Sequence, residues 1–169
     1  MATRIDGKAL AAKVKAQVAE KAAKLPRQPG LAVVLVGEDP ASQVYVRGKE
    51  ADCGECGIRS FPYRLPTETT RRELLDLIEK LNRDPAVDGI LVQLPLPEPL
   101  EEATVIAAIA PEKDVDCFHP YNVGRLNIGD PVFQPCTPAG VMEMLREYGI
   151  SPVGKRLSLI HISEPTRRS

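Results

Sequence analysis

Apolar positions along the chain change period several times, and each change marks an element. Leu10, Val14 and Val18 recur at helical spacing after Asp6, a good N-cap residue, so an amphipathic helix is expected first. The segment "LPRQPG" breaks it. "LAVVLVG" is then a continuous apolar run closed by Gly37, the pattern of a strand buried on both faces. Residues 41–57 return to helical spacing, with Gly57 placed as a C-cap glycine, and residues 58–65 form a plausible strand whose Pro62 suits an edge. Thr70 and Glu73 stand in the spacing of a capping box, before a stripe of Leu74, Leu77, Ile78 and Leu81.

"DGILVQ" is another buried strand with Gln93 as its last residue, and it runs into the stiff segment "LPLPEP". A helix near residues 101–109 follows. Residues 110–135 then make a long polar connection, a length more often functional than idle. Thr137 as N-cap and Pro138 at the first helical position open a last helix that ends at Gly149. Strands alternating with helices give an α/β fold: a parallel sheet flanked by helices, with ligands gathering at the carboxyl ends of its strands.

Composition narrows the function. The 169 residues suit one core, and a net charge of −1 without a basic run argues against nucleic acid or an anionic membrane as partner. No apolar stretch approaches the roughly 20 residues that span a bilayer, and "MATRIDGKAL" lacks a signal-peptide core, so a cytoplasmic location is expected. Cys53, Cys56, Cys117 and Cys136 are then expected to be reduced. Cys53 and Cys56 form a C-x-x-C, but the other two make no second close pair, so ordinary helix positions are the better reading than a metal site.

Candidate chemistry collects at the strand ends. Tyr45 and Lys49 are four apart on the helix after the first strand, and Ser42 lies three before the tyrosine on that face. An isolated pair of this kind is most often a solvated face, but here it follows a buried strand at the ligand-binding end, where a lysine can be desolvated towards neutrality. Gln93 ends its strand as an amide able to hold a lysine head without adding charge. After it, Leu94 and Pro95 begin a rigid apolar wall against which a flat ligand can lie. Asp114 and Asp116 flank a valine and point alike if the backbone is extended; two acids without a companion cluster are weak evidence for a metal, and binding the N–H groups of a heterocycle is at least as natural for a carboxylate. His119 is taken as a surface histidine.

With "PGLAVVLVGEDPASQVYVRGK", "DGILVQLPLP", "PEKDVDCFHPYNVGRL" and "QPCTPAG" in this order, the chain from Ile5 to Arg156 resembles the bifunctional methylenetetrahydrofolate dehydrogenase/methenyltetrahydrofolate cyclohydrolase family. The resemblance implies NADP-dependent oxidation of 5,10-methylenetetrahydrofolate and hydrolysis of the product to 10-formyltetrahydrofolate. It makes Lys49 the catalytic lysine, Tyr45 the tyrosine that packs on the folate rings, Gln93 the amide that tunes the lysine and Asp116 the pterin anchor. Ser42, Leu94 and Pro95 join the folate-binding set, and no metal is implied.

The chain departs from the family pattern twice. Cys117 stands where the family usually has glycine, so the loop is strained if that position needs φ > 0. After "GKR" the family continues with a glycine-rich phosphate-binding turn that is not found here. Instead, "LSLIHISEPTR" is similar to a translated sequencing-library adapter, although "LSLIHI" also alternates as a strand would. The expectation is a folate-binding catalytic domain over 1–150, the start of a linker over 151–156 and a non-native tail over 157–169. NADP then belongs to the full-length parent, an expected homodimer, and neither NADP binding nor a dimer is expected of the fragment. Two rivals stand beside this reading. A short-chain dehydrogenase also uses Y-x-x-x-K but needs a glycine-rich turn upstream, where only Gly37 is found. A non-catalytic α/β binding module would use Tyr45 and Lys49 as contacts only.

Overall fold

The computed structural model describes residues 4–156; the tail expected to be non-native, and the strand considered within it, lie outside the described residues. Three parallel strands form one sheet in the order β2, β1, β3, with β1 over Gly30–Val36, β2 over Arg59–Leu65 and β3 over Gly89–Val92. The first apolar run is the central strand and is buried along almost its whole length. Pro62 sits on β2, an edge strand, where a missing N–H costs no ladder bond. Strand β3 ends at Val92, one residue before the position expected from sequence. Gln93 nevertheless continues the ladder with its backbone, donating to the Val34 carbonyl at 2.8 Å.

Helices cover both faces, as the alternation of elements predicts. On one face α3 (Arg71–Arg83) and α4 (Glu102–Ala108) bury Leu74, Ile78, Leu81 and Val105 against Ala32, Val34, Val36, Ile90 and Val92. On the other, α2 (Pro40–Glu55) sets Val46 against Val33, Leu35 and Leu91. The capping box that opens α3 forms as read: Glu73 N–H donates to Thr70 Oγ1, and the Glu73 carboxylate accepts from Thr70 N–H at 2.8 Å. At the far end of α2, Gly57 follows the cap with φ 69°, a conformation that favours glycine.

Three expectations need correcting. Helix α1 (Gly7–Ala22) begins at Asp6, whose carboxylate accepts from Ala9 N–H at 3.0 Å, but none of its residues is fully buried. It lies outside α2, tied by Lys15 to Asp52 at 2.9 Å, because both sheet faces are already occupied by other helices. The connection 110–135 is not all loop: it holds a short 3₁₀ turn at Pro111–Lys113 and helix α5 (Pro120–Asn127), capped by the His119 ring, whose Nδ1 accepts from Tyr121 N–H at 3.1 Å. Pro120 at the first helical turn was legible as a start signal; His119 as its cap was not, since histidine is an uncommon one. The last helix, α6 (Cys136–Glu147), begins two residues earlier than expected, after Pro135, so Thr137 is not its cap.

Candidate functional site

Helix α2 determines which side chains reach the strand ends. Its inner stripe is Ser42, Val46, Lys49 and Cys53, three of them buried and Lys49 half-buried. Lys49 therefore leaves the helix on the side that packs on the sheet, three residues beyond Val46. Its Nζ donates to Gln93 Oε1 at 3.0 Å, across 44 residues of sequence. The Gln93 amide is oriented by its other end, which donates to the Leu94 carbonyl at 2.7 Å. Two of the sequence-selected residues thus meet as expected, because β1 and the parallel β3 beside it both deliver their carboxyl ends to this edge.

Tyr45 flanks this stripe and is 65% exposed, so its ring is presented to solvent beside the lysine. Ser42 is turned inward. Its N–H donates to Asp39 Oδ2 at 2.7 Å, and this bond, with a second from the Ser42 hydroxyl, holds the Asp39 carboxyl below its usual range. Ser42 closes the N-terminal cap of α2, so its place in the expected binding set is indirect. Beyond Gln93, Leu94 is half-buried and Pro95 exposed, at the start of the wall formed by the proline segment.

Asp114 and Asp116 do not point alike, because the backbone turns at Val115 and Asp116 instead of staying extended. Asp114 is buried. Asp116 lies at the site, where burial pushes its carboxyl up; the nearby Lys49 charge opposes that shift and Asp114 adds to it. Cys136, at the start of α6, shares this neighbourhood. The residue is exposed, yet its thiol is crowded enough that desolvation raises it, with Asp116 acting in the same direction and Lys49 against. Sequence reading placed Cys136 within a motif but gave it no site role, since nothing local shows that residue 136 returns to residue 49.

Cys117 has φ 58°, the one positive φ outside glycine among the described residues, and its side chain is 1% exposed. The strain expected of a non-glycine there is therefore present, on the order of 1–2 kcal/mol. Cys117→Val should lower stability by about 2 kcal/mol, because a β-branched side chain tolerates this conformation least. Cys117→Gly should stay within about 1 kcal/mol of the parent, relief of strain being offset by added chain entropy and lost burial. Urea unfolding of both variants checks the difference in sign and size.

Neither helix N-terminus that follows β1 or β2 suits a dinucleotide pyrophosphate. That of α2 already carries the Asp39 carboxylate, and that of α3 the Glu73 carboxylate, so a phosphate would meet negative charge where free N–H groups are needed. Among the described residues no group of three or more His, Cys, Asp or Glu side chains could hold a metal ion, and no helix is long and apolar enough to cross a membrane.

The fold is a parallel α/β domain, and its strand ends bring together an amide-held lysine and a half-buried carboxylate. Residues 5–116 match the family profile described as "Tetrahydrofolate dehydrogenase/cyclohydrolase, catalytic domain", and the chain belongs to that family. It is 59% identical over 163 residues to the "Bifunctional protein FolD" of Geotalea daltonii, an alignment spanning 95% of this chain and 58% of that one. The crystal structure of the bifunctional FolD methylenetetrahydrofolate dehydrogenase/cyclohydrolase from Campylobacter jejuni superposes with TM-score 0.86 at 51% identity, over 88% of this chain and 54% of that one. A Trypanosoma brucei methylenetetrahydrofolate dehydrogenase-cyclohydrolase, solved with NADP and an inhibitor, superposes at 0.87 and 38% identity over 91% and 54%. The chain thus spans a little over half the length of these relatives.

Proposed function

We propose that this domain binds tetrahydrofolate derivatives and hydrolyses 5,10-methenyltetrahydrofolate to 10-formyltetrahydrofolate, with Lys49 as the proton-transfer group. The observation that carries this reading is the 3.0 Å bond from Lys49 Nζ to Gln93 Oε1, beside Asp116. In this reading Asp116 accepts from the N–H donors of the pterin, Tyr45 offers its exposed ring to the folate, and Leu94 and Pro95 form a wall of the cleft. Ser42 supports the set by closing the cap of α2.

Water adds to the methenyl carbon and gives a proton to the Lys49 amine, which the Gln93 carbonyl keeps pointed at the reacting atom. The carbon–N5 bond then breaks as the carbonyl forms; one of the two water protons ends on N5 and the other leaves to solvent. For the longer protein we carry over from the resemblance the NADP-dependent oxidation of 5,10-methylenetetrahydrofolate, a homodimer and a cytoplasmic location. We assign 1–150 to the folate-binding catalytic domain and 151–156 to the start of a linker. The carboxylates at the N-termini of α2 and α3 leave neither of those two ends suited to the cofactor's pyrophosphate.

The test is spectrophotometric hydrolysis of 5,10-methenyltetrahydrofolate by the purified chain across pH. Gln93→Glu places a carboxylate against Lys49 and favours the protonated amine, so the ascending limb of the pH–rate profile should move up by about one pH unit. An unmoved limb would separate Gln93 from the chemistry, and absence of hydrolysis by the unaltered chain would overturn the assignment.

A further inference from the structure

The better-held carboxylate of the Asp-Val-Asp segment is that of Asp114, not that of Asp116. Asp114 is 2% exposed, and its oxygens accept from His119 N–H at 2.9 Å, Phe118 N–H at 3.3 Å and Asn122 Nδ2 at 2.9 Å. Asn122 is wholly buried, and the same Nδ2 donates to the Pro111 carbonyl at 2.8 Å. Residues 111–122 are thereby gathered around one buried carboxylate group. Desolvating a carboxylate on neutral donors alone is costly, so its presence asks for a reason other than stability. Three hydrogen bonds that converge on one side chain from residues 118, 119 and 122 fix the loop in space.

The frame behind this clamp is rigid. Asp114 forms an isolated parallel bridge with Ile90 of β3, and Lys113 Nζ donates to the Leu81 and Asp84 carbonyls at the end of α3, at 3.0 and 2.9 Å. Val115 packs so closely on Gly89 that a Cβ there would lie 2.5 Å from Val115 Cγ1. Asp116 follows within the same turn, between this anchored pair and the strained Cys117, and makes none of these clamp bonds itself. Its position relative to Lys49 is therefore inherited from residues 113–115 and 118–122.

We propose that Asp114, clamped by Asn122 and the N–H groups of Phe118 and His119, is a positioning residue that sets where Asp116 meets the ligand and so governs folate affinity without touching folate. This rests on the folate reading above. A residue that acts only through Asp116 loses its effect once the Asp116 carboxylate is gone, whereas a general loss of stability does not.

The deciding experiment is a double-mutant cycle on this chain, with tetrahydrofolate binding measured by calorimetry in reducing buffer. Asp116→Asn and Asp114→Asn should each weaken binding about tenfold, and the double variant should be no weaker than about tenfold as well. A double variant weakened about a hundredfold, the product of independent losses, overturns the inference, as does Asp114→Asn at parental affinity. Parental affinity in Asp116→Asn, or no binding by the unaltered chain, instead overturns the folate reading and this inference with it. Circular dichroism establishes that each variant is folded. Should Asp114→Asn not fold, Asn122→Ala takes its place in the cycle: a loss of about threefold that vanishes in the Asp116→Asn background supports the clamp, and a loss that persists there overturns it.

Discussion

Lys49→Met is expected to lower hydrolysis of 5,10-methenyltetrahydrofolate by about 100-fold to 10,000-fold, the range supplied by a positioned proton-transfer group. Methionine keeps an unbranched apolar side chain of similar length and removes the amine that bonds Gln93 Oε1. Folding should therefore be little changed, and tetrahydrofolate affinity should fall no more than a few-fold. Lys49→Arg should not restore turnover, because a guanidinium stays protonated and cannot exchange a proton near neutral pH. The same measurement separates an enzyme from a binding module. Turnover within a few-fold of the parent in Lys49→Met would sink the catalytic assignment, whatever its effect on affinity.

Gly30→Ala is expected to cost about 3 kcal/mol or more, a large part of the roughly 5–15 kcal/mol that holds a domain together. Gly30 opens β1, and a Cβ built on it would lie 1.9 Å from the Ala86 carbonyl oxygen and 2.8 Å from the Phe61 ring. The oxygen belongs to backbone, so no rotamer change relieves the contact. Moving that backbone disturbs the ladder on both sides, since Gly30 N–H donates to Asp88 Oδ2 and the Gly30 carbonyl accepts from Asp88 N–H, each at 2.8 Å. A urea midpoint for Gly30→Ala equal to the parent's would show that residues 84–88 are not held against β1 as closely as the structure has them.

Much of this architecture was legible because its signals are local. Two continuous apolar runs and a proline-bearing third gave the strands, and Pro62 marked β2 as an edge. Asp6, Thr70 with Glu73, and Gly57 marked helix ends, because caps satisfy N–H and carbonyl groups within a few residues of themselves. Where a local signal misled, a neighbouring element had taken the role. Thr137 has a cap's chemistry, but α6 already begins at Cys136. The stripe of Leu10, Val14 and Val18 has the right period for burial, yet α1 found both faces of a three-stranded sheet occupied.

By itself the sequence determined the alternation of strands and helices and the parallel sheet that follows from it. It also determined which residue types meet at the strand ends, because the burial period of β1 and β3 and the helical period of α2 place Lys49 and Gln93 at one edge. Only the tertiary structure decided the roles within the Asp-Val-Asp segment. Two aspartates one residue apart read alike in sequence, but the turn at Val115 buries one among the donors of Phe118, His119 and Asn122 and leaves the other facing Lys49. Likewise, nothing local in the sequence shows that Ser42 is buried and bonds Asp39 at the start of α2, or that α6 brings Cys136 beside Asp116. The physical reason is common to all three: hydrogen-bond partners and desolvation depend on which distant segments arrive at a position, and a sequence period reports only which side of its own element a residue faces.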